Sequence, residues 1–447
     1  MTSIIKLHSI RLCKQHFLLF GFSLIFAAPA LSAPDAILIP LTLSDTAASS
    51  SSSEATGAAL SALCPGLENL DRTGAQQNLL EFCNALGSAN ANQQSSAFDQ
   101  ASSKANAANA NISNLQQSGF QSKARQSFGP QTNTPTRTTY KYQNRIPLVS
   151  FLGSSSDWDY FYKRINTFSS VDSSFSERDE TVDDAGYESL HLKFLFGADY
   201  RINNEFLLGT AVTASLSQTD LSANRGSADS TGLHWMVFGL YQINSRWGLN
   251  GSLILNSTDY DNTRKILISL PSLTNSYSLS TESSANQTGL FLGSDYQWRL
   301  SRSFELSLLN QINAVRTETD SYKESGNTGF ELAINGQTVN NISMDNGLEL
   351  RKPIMRSWGV VIPQINVHWV HQFADQSRNI NAYFIHDPQA NLIAYTTQYR
   401  DSDYFATQLG AVFVIPNGIS AFAQIKSILG YQHYNNTTLS IGVRGEF

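Results

Sequence analysis

Charged residues are scarce in this 447-residue chain, making up 15% of it, with 30 Lys and Arg against 36 Asp and Glu. This mildly acidic balance argues against a nucleic-acid partner, because such partners need a basic surface. Cysteine is also rare, with three residues, of which Cys13 precedes the cleavage site expected below. The remaining Cys64 and Cys83 are expected to form a disulfide in an oxidising compartment, with two free thiols as the alternative.

Long hydrophobic runs are absent after the first thirty residues, so no segment reaches the roughly 20 apolar residues of a membrane-spanning helix. The first thirty residues combine Lys6, Arg11 and Lys14 with an apolar run at 17–26 and then Ala28-Pro29-Ala30. This pattern is typical of a secretory signal peptide over residues 1–30. If the exported chain enters a membrane, it must therefore do so as β-strands.

The region before the strands falls into three segments. Residues 31–55 are small and polar and end in a serine run, which predicts a low-complexity segment with no core. Residues 56–88 carry leucines on both sides of Thr73-Gly74-Ala75-Gln76, a capping-box spacing, which predicts a helical hairpin stapled by Cys64 and Cys83. Residues 89–145 are rich in Ala, Asn, Ser and Gln. Their first part, 89–105, fits a disordered linker as well as a slim helix, and the later part favours a helix inside a barrel pore.

Strand-like segments with period-two alternation recur from about residue 156 to the C terminus. We count twelve, near 157–167, 185–201, 204–219, 230–244, 246–260, 285–300, 302–317, 340–353, 357–373, 403–415, 418–431 and 437–447. The connections after the even-numbered segments are tight, whereas long ones are expected at 261–284, 318–339 and 374–402. This sorting is typical of bacterial outer-membrane barrels and not of sandwiches or propellers. We therefore expect an all-β transmembrane barrel of twelve antiparallel strands over residues 146–447.

Charged side chains on these strands are expected to face the lumen, because a charge on the lipid face costs about 2–4 kcal/mol near the midplane. The lumen candidates are Lys193, Asp199, Arg201, Lys426, Arg444 and Glu446. Their mixed signs favour a network that braces a plug over an ion filter.

Four stretches resemble the translocator barrel of type V autotransporters: Gly197-Ala198-Asp199-Tyr200-Arg201, Glu324-Ser325-Gly326, Trp369-Val370-His371-Gln372-Phe373 and Val443-Arg444-Gly445-Glu446-Phe447. The resemblance implies a barrel in the bacterial outer membrane that translocates or displays its own short N-terminal passenger, either surface-exposed or in the lumen. It also implies that the barrel-assembly machinery recognises the last strand, through Phe447, Val443, Ile441 and Leu439. Lipid and periplasmic chaperones are further expected partners, and we expect a monomer.

No catalytic, cofactor-binding or metal site is expected. His368 and His371 are three residues apart, so on one strand they face opposite sides and cannot share a metal. A lipid hydrolase of the outer membrane would need a Ser–His pair on the outer wall, and no strand face offers one with a polar partner that orients the histidine. We therefore expect a protein that is not an enzyme. Two alternatives stay open, namely a plugged porin-like or structural barrel that exports nothing, and an outer-membrane lipid hydrolase.

Overall fold

The structure, a computed structural model, describes residues 50–67, 74–104, 165–182, 184–301, 304–373, 378–397, 401–415 and 418–446. The helices are α1 (Ser51–Leu67), α2 (Gly74–Gly87) and α3 (Ala91–Ala101). The strands are β1 (Ile165–Arg178), β2 (Tyr187–Arg201), β3 (Phe206–Leu221), β4 (Gly226–Gln242), β5 (Trp247–Leu270), β6 (Leu273–Arg299), β7 (Glu305–Thr319), β8 (Tyr322–Lys323), β9 (Leu332–Ile334), β10 (Gln337–Arg351), β11 (Ile354–Arg356), β12 (Gly359–Gln372), β13 (Asn379–Phe384), β14 (Ile393–Thr396), β15 (Asp403–Ile415), β16 (Ile419–Leu429) and β17 (Tyr434–Glu446).

Within this described part of the chain, twelve long strands form a closed antiparallel barrel: β1–β7, β10, β12 and β15–β17. The last strand pairs with the first, from Asn166 opposite Glu446 to Arg178 opposite Tyr434. The pairing of β10 with β12 completes the circuit on the other side. Closure leaves the wall without a free strand edge. The predicted barrel of twelve antiparallel strands is thus confirmed.

Side chains of the barrel strands alternate between the outer surface and the interior. On β2, Phe194 and Phe196 are exposed at 47% and 64%, whereas Lys193 and Asp199 on the opposite face are buried. The same outward pattern is seen for Leu253 and Leu255 on β5, which are exposed at 44% and 40%. This alternation matches the apolar outside and polar inside of an outer-membrane barrel.

The barrel has two different ends. At one end, short turns join β2 to β3, β4 to β5, β6 to β7 and β15 to β16, and we call this the short-turn end. The other end, called the loop end, carries the long connections from β7 to β10 and from β12 to β15. These two connections contribute a small separate sheet with the order β14-β13-β9-β8, called the loop sheet. The expected long connections at 318–339 and 374–402 therefore contain strands of their own.

Two strand predictions differ from the structure. The first strand, expected near 157–167, is Ile165–Arg178, and residues 157–164 lie outside the described residues. Its outer face mixes Ser169 and Ser173 with Val171, so its alternation in hydrophobicity is weak. The expected long connection at 261–284 is wrong, because β5 continues to Leu270 and β6 begins at Leu273. We call residues 261–284, which are the paired ends of these two strands and the turn between them, the extended hairpin.

The helices precede the barrel in sequence, and no described helix has both the length and the apolar character needed to cross a membrane. Helix α1 begins inside the serine run that we expected to build no core, and Ser52 and Ser53 are fully buried. The disulfide between Cys64 and Cys83 is confirmed, with 5.7 Å between the two Cα atoms. Residues 91–101 form a helix rather than a linker, capped by reciprocal bonds between Asn90 and Gln93. The expected pore helix in the later part of 89–145 lies outside the described residues.

Candidate functional site: the helical unit at the loop end

The three helices, called the helical unit, share one hydrophobic core with the loop end of the barrel. The helices contribute Leu60, Leu63, Leu79, Phe82 and Phe98; the extended hairpin contributes Ile266, Ile268 and Leu270; the loop sheet and its flanks contribute Phe330, Leu332, Ile334, Ile380, Phe384 and Ile393. None of these three parts is large enough to bury an extensive core alone. The composite core therefore depends on residues that are far apart in the sequence.

Helix α2 approaches the connection between β8 and β9 closely. The rings of Phe82 and Phe330 meet edge to face with centroids 5.1 Å apart. Asn78 Nδ2 donates to the carbonyl oxygen of Thr328 at 3.0 Å. Gly329 has a φ of +98°, and a Cβ there would overlap the backbone of Ala75 in α2. Glycine is required at this position for both the backbone conformation and the close approach of the helix.

A buried ion pair joins the extended hairpin to the same connection. Arg264 donates through Nε to Glu324 Oε1 at 2.7 Å and through Nη2 to Oε2 at 2.6 Å. The two side chains are exposed at 4% and 0%. Arg264 also donates to the carbonyl oxygens of Phe330 at 2.7 Å and of Ala101, at the end of α3, at 3.3 Å. Removing either partner of such a pair is costly, because it leaves an uncompensated charge inside the protein.

A second buried carboxylate shapes the turn that meets α2. Glu331 accepts hydrogen bonds from the backbone N–H groups of Thr328 and Gly329, and its Oε2 lies 3.2 Å from His386 Nε2.

The low polarity of this region also affects the ionisation of Tyr322 in the loop sheet. Burial, with a smaller contribution from the Glu324 carboxylate, raises the pKa of the Tyr322 phenol.

Four charges tie the end of α3 to the rim of the barrel. Arg225, between β3 and β4, pairs with Asp99 of α3 and, at 2.8 Å, with Glu180 between β1 and β2. Lys104 Nζ lies 3.4 Å from carboxylate oxygens of both Asp99 and Glu180. The Arg225 and Lys104 side chains are exposed at 7% and 4%. Each cation therefore contacts both anions, and we call this arrangement the rim cluster.

The lumen candidates occupy different environments. Lys193, Asp199 and Arg444 are buried, Arg201 and Lys426 are half-buried, and the side chain of Glu446 lies outside the described residues. Arg444 Nη1 of β17 lies 2.9 Å from Asp199 Oδ2 of β2, and Asn166 of β1 donates to Asp199 Oδ1 at 2.6 Å. The structure thus brings together two of the candidates, across the seam where the last strand meets the first.

An apolar cluster inside the barrel was missed by sequence reasoning, which expected a polar lumen. It consists of Phe168, Leu195, Leu207, Ala211, Met236, Phe238, Ile254 and Phe291. The ring of Phe168 covers Gly197 on the neighbouring strand, and the ring of Phe238 covers Gly209. Glycines opposite inward-facing aromatic residues were the sequence signal that could have revealed the cluster.

The two neighbouring histidines face different carboxylates. His368 Nδ1 lies 2.7 Å from Asp345 Oδ1, and His371 Nδ1 lies 2.9 Å from Asp403 Oδ1. A hydrolase with a Ser–His pair would need a hydroxyl beside the histidine. The residues opposite His371 on the two neighbouring strands are Met344 and Asp403, and neither side chain has a hydroxyl group. Among the residues that the structure covers, no group of three or more His, Cys, Asp or Glu side chains could hold a metal ion.

Comparisons with known proteins give one matching family and several similar solved structures. The sequence matches the family model described as autotransporter beta-domain over residues 167–426. Similar solved structures include the translocator domain of the autotransporter NalP from Neisseria meningitidis, with 13% identity, a TM-score of 0.48 and coverage of 64% of this chain and 88% of that one. The beta domain of the Bordetella autotransporter BrkA has 12% identity and a TM-score of 0.47, with coverage of 64% of this chain and 100% of that one. The transport unit of the autotransporter AIDA-I from Escherichia coli has 14% identity and a TM-score of 0.42, with coverage of 66% of this chain and 94% of that one. No curated protein matches the sequence significantly.

Proposed function

Because the chain belongs to the autotransporter beta-domain family, whose members are outer-membrane barrels, we propose that it exports its own N-terminal region and displays residues 50–104 at the cell surface. One observation carries the proposal. Lys104 lies at the loop end, beside Glu180, whereas Ile165 begins β1 at the short-turn end, opposite Tyr200. Outer-membrane barrels direct long connections outward and short turns to the periplasm.

Residues 105–164, which lie outside the described residues, join these two positions in the sequence. A route along the outer wall would take a segment rich in Asn, Ser and Gln through hydrocarbon, where its polar groups would lack partners. A route through the lumen keeps these groups among polar side chains. We infer that this segment passes through the lumen, which requires the residues before it to have been exported.

Beside the apolar cluster described above, the barrel interior carries neutral polar groups that suit the passage of a polar chain. Several inward-facing amides bind one another, as when Asn256 Nδ2 donates to Gln287 Oε1 and Gln408 Nε2 donates to Gln424 Oε1, both at 2.8 Å. Neutral groups that already have partners offer a passing chain weak and replaceable contacts rather than a deep binding site. The barrel acts as a passage, and we propose no catalytic step in it or in the helical unit.

Assembly in the membrane is proposed to depend on the last strand. Leu439, Ile441 and Val443 are exposed at 49%, 56% and 52% on the outer face of β17 and form an apolar stripe. With Phe447, which lies outside the described residues, this stripe is the proposed signal for the barrel-assembly machinery. Lipid and periplasmic chaperones are the other proposed partners. A closed wall without a free edge supports a monomer.

An epitope inserted between Thr46 and Ala47 tests the export. Antibody labelling of intact cells should detect it as strongly as labelling of permeabilised cells. The matched control is the same epitope in the short turn between Asn244 and Ser245, which should be detected only after permeabilisation. If the epitope at Thr46 also needed permeabilisation, the chain would be a plugged barrel that exports nothing.

A further inference from the structure

We propose that the helical unit, once exported, does not extend freely from the cell but docks as a fixed cap on a receptor surface built by the barrel itself. The receptor surface consists of the extended hairpin and the loop sheet, and its occupant is residues 50–67 and 74–104 of the same chain. The inference rests on the proposed export function and goes beyond it, because display alone requires no docking.

The extended hairpin has the features of a docking surface. Its two faces differ sharply, since Ile266 and Ile268 are fully buried whereas Leu267 between them is exposed at 59%. A two-stranded hairpin is at best marginally stable in water. The hairpin continues well beyond its neighbours because α3 and the loop sheet cover its apolar face. The receptor and its occupant therefore stabilise each other.

Polar contacts at separate points determine how the cap is seated. Ser51 Oγ, at the start of α1, donates to the carbonyl oxygen of Thr396 in the loop sheet at 3.2 Å. The hydroxyls of Ser88, just after α2, and Ser272, at the tip of the extended hairpin, lie 3.4 Å apart. Ser103, just after α3, donates through Oγ to Tyr395 Oη at 3.2 Å. The contacts involve all three helices, which is expected of a docked unit and not of a tethered one.

Arg264 and the rim cluster bind the end of the cap to the barrel. Arg264 lies on the inward-facing side of β5, in line with Asn256, Thr258 and Asn262, and it donates to the carbonyl oxygen of Ala101 at the end of α3. Lys104 is nearly fully buried between Asp99 and Glu180. Burying a lysine costs free energy unless it is paired, and here the rim supplies Glu180 as a partner for Lys104 and Arg225 as a partner for Asp99.

The test is a cross-link in intact cells between the cap and its receptor. The double variant Ser88→Cys/Ser272→Cys should form a disulfide at the cell surface. The readout is labelling by a membrane-impermeant polyethylene-glycol maleimide, which should reach the two new thiols only after reductant is added. Peptide mapping by mass spectrometry identifies the pair and distinguishes it from bridges to Cys64 or Cys83. Each single variant should be labelled without reductant.

Variants of the receptor surface give the matched control. Ile266→Asp, added to the cysteine pair, should lower the cross-linked fraction at least tenfold, whereas Leu267→Asp on the opposite face should leave it unchanged. Heat-modifiable migration checks that the barrel has folded. If Ile266→Asp prevents folding, Phe82→Ser removes the apolar contact from the helical side and leaves the barrel intact.

The outcomes separate this inference from the proposed function. An epitope at Thr46 on the surface without the cross-link would overturn the docked cap and leave export standing. A cross-link that Ile266→Asp and Phe82→Ser leave unchanged would also overturn the proposed receptor surface. An epitope that stays inaccessible would overturn export and, with it, the inference.

Discussion

Replacing Arg264 by methionine is expected to loosen the helical unit while leaving the barrel wall closed. The two guanidinium donors hold the Glu324 carboxylate at 2.7 and 2.6 Å, in a site where neither side chain is more than 4% exposed. Methionine fills much of the same volume but donates no hydrogen bond. The buried carboxylate then loses its cation, and the carbonyl oxygens of Phe330 and Ala101 lose a donor.

The size of the effect follows from the burial of the pair. Removing one partner of a buried ion pair typically costs about 3–5 kcal/mol, because the remaining charge stays in a medium of low polarity. At about 1.4 kcal/mol per tenfold change, the lower figure corresponds to a roughly 150-fold larger population of the locally opened state. The cost falls on contacts outside the barrel wall, so heat-modifiable migration should not change.

Limited proteolysis of the folded protein in detergent micelles measures this population. At low protease concentration the rate of cleavage follows the fraction of open molecules, and the cut sites should map to the helical unit and to the connection around residues 324–331. Arg316→Met is the matched control. Its pair with Glu318 is largely exposed, with 60% and 53% of the side chains accessible, so its loss should change the rate by less than about fivefold.

The double variant Arg264→Met/Glu324→Gln tests the physical reason. It removes the stranded charge but keeps an acceptor for the backbone N–H of Leu332, which donates to Glu324 at 2.9 Å in the native protein. Cleavage should therefore be at least tenfold slower than in Arg264→Met. Equal rates in the two variants would refute the claim that an unpaired buried charge is what loosens the unit.

Two further predictions concern the staple and the last strand. Replacing Cys64 and Cys83 by serine opens a loop with a sequence separation of 19, and the lost constraint on the unfolded chain is worth about 3 kcal/mol. Proteolysis of α1 and α2 should therefore become roughly 100-fold faster. An unchanged rate would mean that docking alone holds the helices. Deleting Phe447 should slow the appearance of the heat-modifiable barrel in a pulse-chase experiment; insertion at the normal rate would show that the assembly signal lies elsewhere.

The barrel wall could be predicted from sequence because each strand faces two different environments. The second and tenth predicted segments, 185–201 and 403–415, correspond closely to Tyr187–Arg201 and Asp403–Ile415. Outward-facing side chains must be apolar and inward-facing ones can be polar, so apolar and polar residues alternate along the sequence of each strand. β1 was misplaced because its outer face contains serines, and its position is set by pairing with β2 and β17.

The loop end could not be predicted in the same way. In the extended hairpin, Asp261, Asn262, Arg264 and Lys265 interrupt the apolar pattern of β5, and Ile266 and Ile268 lie on the face opposite to the outward-facing Leu253 and Leu255. What keeps these strands paired is cover from α3 and the loop sheet, which come from distant parts of the sequence. Strand propensity depends strongly on such cover, and a single sequence does not show which distant segments provide it.

The helical unit was predicted in part. The hairpin and its disulfide follow from spacing and from the compartment, but the docking does not, because its partners are scattered over three connections. Small residues also misled the interpretation of the serine run. Ser52 and Ser53 are fully buried, and a Cβ at Gly57 would come within 2.9 Å of the Phe98 ring. Small side chains here allow close helix packing rather than signalling disorder.

The positions of the charges relate export to docking. Residues 50–104 carry seven charged side chains, namely Glu54, Glu68, Asp71, Arg72, Glu81, Asp99 and Lys104. A charge that crosses a narrow lumen must be solvated or paired during passage. In the proposed export, Asp99 and Lys104 are the last of these charges to leave the barrel, and both pair with the rim. The rim cluster therefore gives these two charges partners at the position where passage ends, which favours stopping there over continued sliding.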